Sequence, residues 1–468
     1  MSFRLSDTAA LRSARSIAAT LHAAGYVAFL AGGCVRDLLL GRTAKDFDVA
    51  TSATPEQIVT LFDQTQSVGA HFGVILVVTQ EADAGRIATE VATFRHDGVY
   101  LDGRRPEAVR FSTDPREDVL RRDFTINGML LDPSGMTLDA NGEWLVDEEA
   151  VLDFVGGRDD LQARQVRTIG DPALRFAEDK LRMLRGIRFA ARLEFSLAPE
   201  TLAAMRRFAG QIDQVSHERV RDELTRMLTE GHARRALELL DASGLLVHVL
   251  PEVSRLHGVA QPPEYHPEGD VWVHTLMLLD HLRAGASATL AWGMLLHDIG
   301  KPATFQPPDP SKPGDRIRFN GHVEVGVRIA EAMLERLRFS NEETEQILAL
   351  IRHHMQFGDI RQMKQSTLKR FLRLPRFDEH LALHFADCSS SHGDLSLYEF
   401  ARAHYEAAEP EDIRPKLLVT GQDLIGAGYK PGPAFKAMLE LAEDAQLEGR
   451  IATTEEGLAL IADSLAHT

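Results

Sequence analysis

Two aspartates, Asp46 and Asp48, stand one residue apart in the run DFDV. Alternate side chains of a strand share a face, so the two carboxylates project together. Like charges on one face repel unless a cation lies between them. Mg²⁺ suits such a pair, because it takes oxygen ligands and often completes its shell with substrate phosphates. Upstream, Gly32-Gly33 follows an apolar run and precedes a helical pattern from Cys34 to Leu40 that Gly41 closes. A glycine pair there lets the backbone approach a phosphate and leaves N–H groups open at a helix start. Each piece is ambiguous alone, since Gly-Gly is often a plain turn and Asp-x-Asp a solvated strand face. Glu90, in the strand-like IATEVATF, is either a third carboxylate beside the metal or an edge-strand residue facing water.

Two further clusters carry groups that recognise nucleotides. In RRDFTIN, Arg122 can fork onto a phosphate or sugar hydroxyl, Asp123 can accept from a ribose, and Asn127 can do either. The same residues could equally form a capped helix or an ion pair. In EDKLRMLR, helical spacing over 172–193 places Asp179, Arg182 and Arg185 on one face. Asp179 can accept from an exocyclic amine and Arg182 can donate to ring acceptors, which imitates a pairing base. An intrahelical salt-bridge ladder is the plain alternative.

A different chemistry begins near Tyr265. His274 sits in an apolar helical run, His297-Asp298 ends LLHD, and His322, His354 and Asp387 follow on separate segments. A lone histidine on an apolar helix is usually a core residue. Imidazoles and carboxylates gathered from several segments suit a divalent metal, either Mg²⁺ or a transition ion, able to activate water against a phosphoester.

The joint pattern GGCVRDLLLGRTAKDFD resembles the signature of nucleotidyltransferases of the polymerase beta superfamily, specifically class II tRNA nucleotidyltransferases and bacterial poly(A) polymerases. That resemblance implies Mg²⁺ at Asp46 and Asp48 with Glu90 beside them. It implies a triphosphate held near Gly33 and Arg36, and a ribose read by Arg122, Asp123 and Asn127. It also implies an amino-acid template, Asp179, Arg182 and Arg185, that chooses C or A. The loop over 95–111, with Arg104-Arg105, resembles the family's flexible loop that positions the final adenosine. Arg219, in SHERVRDE, resembles the family's ERxxxE element, and Arg188, Arg192 and Arg219 are expected along an RNA phosphate track. LLHDIGKP resembles HD-superfamily phosphohydrolases, in which an adjacent His-Asp pair binds metal. His274, His297, Asp298 and Asp387 fit that order, while His322 and His354 leave room for a second divalent metal (Mn, Ni or Mg). A degenerate HD domain kept as scaffold is the alternative.

The elements that must position these groups follow from periodicity. A helix over 8–25 shows Leu11, Ile17, Ala18 and Leu21 near one face, and strands are expected at 28–31, 46–49, 74–78 and 87–94. Residues 147–158 read as the last hairpin of the head, after which the chain turns helical. The expected class is α+β: a nucleotidyltransferase head (1–158), a helical neck and body (159–260), a helical HD domain (265–400) and a C-terminal helical segment (401–468). With 468 residues, 44% hydrophobic and 26% charged, the chain is ordinary for a globular protein. Its net charge of −17 argues against indiscriminate nucleic-acid binding, so RNA must meet a local basic surface. Cys34 and Cys388 are too few and too far apart for a disulfide framework, which fits a reducing cytoplasm. Neither a signal peptide nor a membrane-length apolar run is present. The expected activity is addition of CCA to tRNA from CTP and ATP. Poly(A) synthesis, A-only addition, or an HD hydrolase with an inert head are the alternatives.

Overall fold

The apolar run after the first helix forms the strand Ala28–Ala31, buried along its length. It lies within a seven-stranded mixed sheet. From one edge the order is Val151–Asp153, Met129–Leu131, Ala28–Ala31, Asp48–Thr51, Gly85–Thr93, Val74–Glu81 and Thr65–Gly69. Asp48–Thr51 runs parallel to Gly85–Thr93, and the other neighbours are antiparallel. The helix Ala9–Ala23 is capped by Thr8 and buries Leu11, Ala14, Ile17, Ala18 and Leu21. That spacing is one helical stripe, and it packs on the sheet.

The computed structural model describes residues 2–69, 73–97, 109–409 and 415–466. The chain folds as two units. One comprises Met1–Met227 and Arg235–Pro251; the other comprises Leu228–Arg234 and Glu252–Thr468. The first unit holds the α+β head and the helices that follow it, and the second is helical. Among the described residues no helix is long and apolar enough to cross a membrane.

Several expectations need correction. Residues 147–158 are not a hairpin: Glu143–Asp147 pairs with Ser2–Ser6, whereas Val151–Asp153 pairs with Met129–Leu131 in the large sheet. Gly156-Gly157 opens the helix Gly157–Gln162 instead, with Gly156 left-handed at its start. The loop over 95–111 is tied at its described ends, where Arg95–Asp97 pairs with Val109–Phe111. Arg104 and Arg105 lie outside the described residues. The single helix expected over 172–193 is two, Pro172–Glu178 and Leu181–Leu193, because Asp179 is extended (φ −146°, ψ 108°) and Lys180 bridges to the second.

Candidate functional site

In the first unit, Gly32 adopts φ +78°, which an L side chain resists, and a Cβ there would lie 3.2 Å from Arg122 Nη1. The chain turns at this point from its strand into the helix Gly33–Leu39. A cavity of ≈ 550 Å³ opens against this turn. Asp48 reaches it from the start of its strand, and Arg122, Asp123 and Asn127 reach it from the RRDFTIN stretch. Asp179, Arg182, Arg185 and Arg192 come from the following helices, and Arg219 from His217–Thr229.

Six of the cavity's arginines are held by carboxylates. Arg36 donates to Asp37 Oδ1 at 2.8 and 2.7 Å and to Asn127 Oδ1 at 2.7 Å. Arg121 and Arg122 both grip buried Asp118, at 2.6 and 3.0 Å. Arg185 reaches Asp123 at 2.7 Å, Arg219 reaches Asp179 at 2.8 Å, and Arg182 pairs with Glu178. Burial would raise the carboxyl pKa values of Asp118 and Asp123, but the guanidiniums outweigh it and both are lowered. Asp118 and Glu178 escaped the sequence reading, although each lies just upstream of an RR or RxxR motif at helical spacing.

Asp46 and Asp48 are exposed and flank buried Phe47, so the alternation expected of a strand holds, although the ladder starts at Asp48. Asp48 is open to solvent at the cavity mouth yet recessed among protein groups. Its pKa is pushed up to about 6 by that desolvation first, then by Glu90; Arg122 opposes the rise and Asp46 adds to it. Glu90 is exposed, and its strand lies inside the sheet rather than at an edge. A divalent cation fits Asp48 and its acidic neighbours because it would offset both the desolvation that chiefly raises Asp48 and the repulsion from Glu90 and Asp46.

Two expectations about arginine and aspartate roles change. Asp179 does not share a helix face with Arg182, because it caps the break between helices and accepts from Leu181 N at 3.1 Å. The two still line one cavity. Arg188 is buried and pairs with buried Glu223 at 2.7 Å, so it does not present itself to an RNA backbone. Arg192 and Arg219 line the cavity, while Arg206 and Arg207 are exposed.

In the second unit, five segments deliver the histidines and aspartates. His274 lies in Val271–Leu279, His297 and Asp298 follow Ala288–Leu296, and His322 opens His322–Arg336. His354 follows Asn341–His353, and Asp387 lies in Phe377–Ser390. Gly300 permits the assembly: a Cβ there would fall 2.1 Å from His322 O and 2.6 Å from Gly326 N. Only glycine lets the His-Asp turn seat on the helix carrying His322.

The ligating atoms form two neighbouring sets, His274 with His297 and Asp387, and Asp298 with His322 and His354, each within 4.8 Å. Asp298 faces both: Oδ2 is 3.1 Å from His297 Nε2, and Oδ1 is 3.7 and 3.9 Å from the Nε2 atoms of His322 and His354. His274 Nε2 lies 3.1 Å from Asp387 Oδ1, but without hydrogen-bond geometry. The Nε2 atoms of His274 and His297 are buried with no hydrogen-bond partner, the fit expected of donors aimed at a metal. Burial, then His297, pushes His354 down to about 4, a neutral ligand form. Burial opposes ionisation of Asp298, but His297 and Lys301 hold its pKa well below the usual carboxylate range. His274 is raised to about 9, because Asp387 and Glu268 outweigh burial, so metal binding would release its proton.

A cavity of ≈ 680 Å³ opens on this cluster, with Lys301, Arg316 and Tyr265 in its lining. Lys301 Nζ lies 2.7 Å from Asp298 Oδ2 and donates to Gln261 Oε1 at 2.7 Å. Lys301, His266 and Glu268 were not singled out from sequence; their only signal was adjacency to the HD pair and to His274.

Comparison with known proteins adds three family matches: the poly A polymerase head domain over residues 28–167, a probable RNA- and SrmB-binding site of polymerase A over 194–256, and the HD domain over 270–386. The chain is 39% identical over 283 residues to a CCA-adding enzyme of Bacillus pumilus, spanning 60% of this chain and 62% of that protein. It is 38% identical over 334 residues to a multifunctional CCA protein of Cupriavidus metallidurans, spanning 70% of this chain and 74% of that protein. A crystal structure of the Bacillus stearothermophilus CCA-adding enzyme in complex with CTP superposes with a TM-score of 0.73 at 26% identity, covering 98% of this chain and 99% of that one.

Proposed function

Given that the chain belongs to the CCA-adding enzyme family, we propose that it is a tRNA nucleotidyltransferase that completes the tRNA 3′ end with C, C and A from CTP and ATP. The observation that carries this reading is the single cavity joining the Gly32 turn, Asp48, Arg122 and Asp123 to Asp179 and Arg182. Mg²⁺ held by Asp46 and Asp48 would supply charge neutralisation at the α-phosphate and acidify the attacking hydroxyl. The Gly32-Gly33 backbone and Arg36 hold the triphosphate, with Arg36 fixed by Asp37 and Asn127. Arg122, Asp123 and Asn127 meet the ribose. Asp179 offers an acceptor and Arg182 a donor to the base, and Arg185 keeps Asp123 ionised. The tRNA 3′-hydroxyl attacks the α-phosphorus and pyrophosphate leaves in line. Arg192 and Arg219 bring the RNA end to the cavity. The protein acts in the cytoplasm, where buried Cys34 and Cys388 stay thiols.

A second activity is supported by the histidine–aspartate pocket, whose orphaned nitrogens fit a divalent metal: hydrolysis of a phosphoester. A metal there would supply an activated water. The imidazole-rich donors favour Ni over Mg or Mn, and Asp298, which faces both sets, would supply a carboxylate oxygen to a metal held there. Lys301 neutralises charge beside it.

The test uses tRNA ending at its discriminator base. With CTP and ATP, sequenced 3′ ends should read CCA, whereas a long A tail would indicate a poly(A) polymerase and a lone A a partial enzyme. D46N/D48N should abolish addition while tRNA binding persists; surviving addition would sink the assignment.

A further inference from the structure

The four histidines of the metal pocket are anchored alike in geometry but not in chemistry. His297 Nδ1 is bonded to Met294 O at 3.0 Å, His322 Nδ1 to Phe319 O at 3.0 Å, and His354 Nδ1 to Ile351 O at 2.7 Å. Each of these outer nitrogens meets a backbone carbonyl. His274 instead places Nδ1 2.8 Å from Glu268 Oε1, a carboxylate whose side chain is 4% exposed. The same oxygen accepts from His266 Nδ1 at 2.9 Å, and Glu268 Oε2 is buried without a partner. A buried carboxylate oxygen left unpaired is destabilising, so packing alone does not account for this residue. The His266, Glu268 and His274 atoms also lie within 4.8 Å of one another. Their nitrogens and oxygen are already committed to each other, which makes the trio a support rather than a third metal site.

We propose that Glu268 is a positioning residue of the metal pocket: it fixes the His274 tautomer that directs Nε2 inward, and makes His274 a more basic metal ligand than its three carbonyl-anchored neighbours. The proposal rests on the metal reading of the pocket given above. A carboxylate behind a ligating imidazole lends it negative charge, which a carbonyl does less well, and loss of such a partner typically weakens metal binding about 10–100-fold. The effect falls on the set made by His274, His297 and Asp387.

The experiment titrates the full chain with Co²⁺ alone, following the visible bands and heat, with E268Q and E268L beside the unaltered protein. E268Q keeps an acceptor for Nδ1–H without the charge, and E268L removes both. Affinity should fall in the order unaltered, E268Q, E268L, with about 10–100-fold between the extremes. The hyperfine-shifted, exchangeable Nδ1 proton of His274 in the Co²⁺ form should survive in E268Q and be lost in E268L. Nucleotide addition, carried by the other unit, should be unchanged, and the melting transition of the second unit reports its folding. Should E268L fail to fold, the E268Q loss of affinity still decides. Equal Co²⁺ affinity in the unaltered protein and both variants overturns the role of Glu268 while leaving the metal pocket standing. If the unaltered protein takes up no Co²⁺, the pocket reading fails and the proposal with it.

Discussion

Replacing Arg188 by methionine separates a structural arginine from an RNA-binding one. Arg188 and Glu223 are paired at 2.7 Å and each side chain is only 6% exposed. Removing one partner of a buried pair strands the other charge, which costs about 3–5 kcal/mol. For a domain of 150–250 residues, 1 kcal/mol moves the melting temperature by about 2–4 °C, so R188M should lower the first unit's transition by roughly 6–20 °C. The double variant R188M/E223L removes both charges and should recover most of that loss, because a buried pair exchanged for apolar groups is often neutral. Arg185, 4.0 Å from Glu223, keeps Asp123 as partner in the double variant. The assays are thermal unfolding of the three variants and tRNA binding across salt concentrations. If Arg188 met a phosphate, its loss would lower the salt slope by about 1 with little effect on melting. That outcome, or a double variant no more stable than R188M, would refute the argument.

The remaining predictions concern backbone space and protonation. G32A should destabilise the first unit by about 1–3 kcal/mol, since φ +78° with ψ −128° is a conformation L residues rarely adopt, and should weaken kcat/KM for CTP through Arg122; melting and steady-state kinetics check both. G300A should destabilise the second unit by about 1–3 kcal/mol and weaken divalent-metal binding, measured by calorimetry, while addition of CCA continues. His380 is 1% exposed and neither ring nitrogen has a hydrogen-bond partner. Burial, then His353, pushes its pKa from 6.5 down to about 4. A histidine held neutral contributes stability that is complete above pH 6.5 and is lost as pH falls toward 4. The loss is roughly 3 kcal/mol at 1.36 kcal/mol per unit. H380L should flatten the acid limb of the second unit's unfolding between those pH values, and an unchanged limb would count against the assignment.

Periodicity exposed the parts of this molecule that depend on local pattern. The stripe of Leu11, Ile17, Ala18 and Leu21 and the alternation around Phe47 are both set within a few residues, and both are visible in the chain. The break at Asp179 is not, because RFAEDKLRML satisfies helical spacing throughout. The break is paid in tertiary contacts, with Arg219 reaching Asp179 from another helix. Arg188 was misplaced for the same reason: a basic residue on an amphipathic helix looks solvent-facing until the partner that buries it, here Glu223, is brought near. Strand pairing was equally hidden at Glu143–Asp147, whose partner Ser2–Ser6 lies at the far end of the head sequence. Glu268 shows the converse limit, since nothing in HPEGD separates a helix-capping acid from one that holds a histidine.

The web of guanidinium–carboxylate pairs around the first cavity has a consequence for how selection can work. Six arginines, Arg36, Arg121, Arg122, Arg182, Arg185 and Arg219, already rest on five acids, Asp37, Asp118, Glu178, Asp123 and Asp179. On the proposed function, an arriving nucleotide would swap partners instead of filling an electrostatic deficit. A bare polyanion gains little from such a swap, because it breaks internal pairs and returns only one kind of contact. A cytosine or adenine with ribose and triphosphate attached would offer donors to some of the acids as well as anionic oxygens to the arginines. Discrimination would then reside in the completeness of the exchange, and bulk anions such as inorganic phosphate would make poor competitors for so crowded a cationic wall.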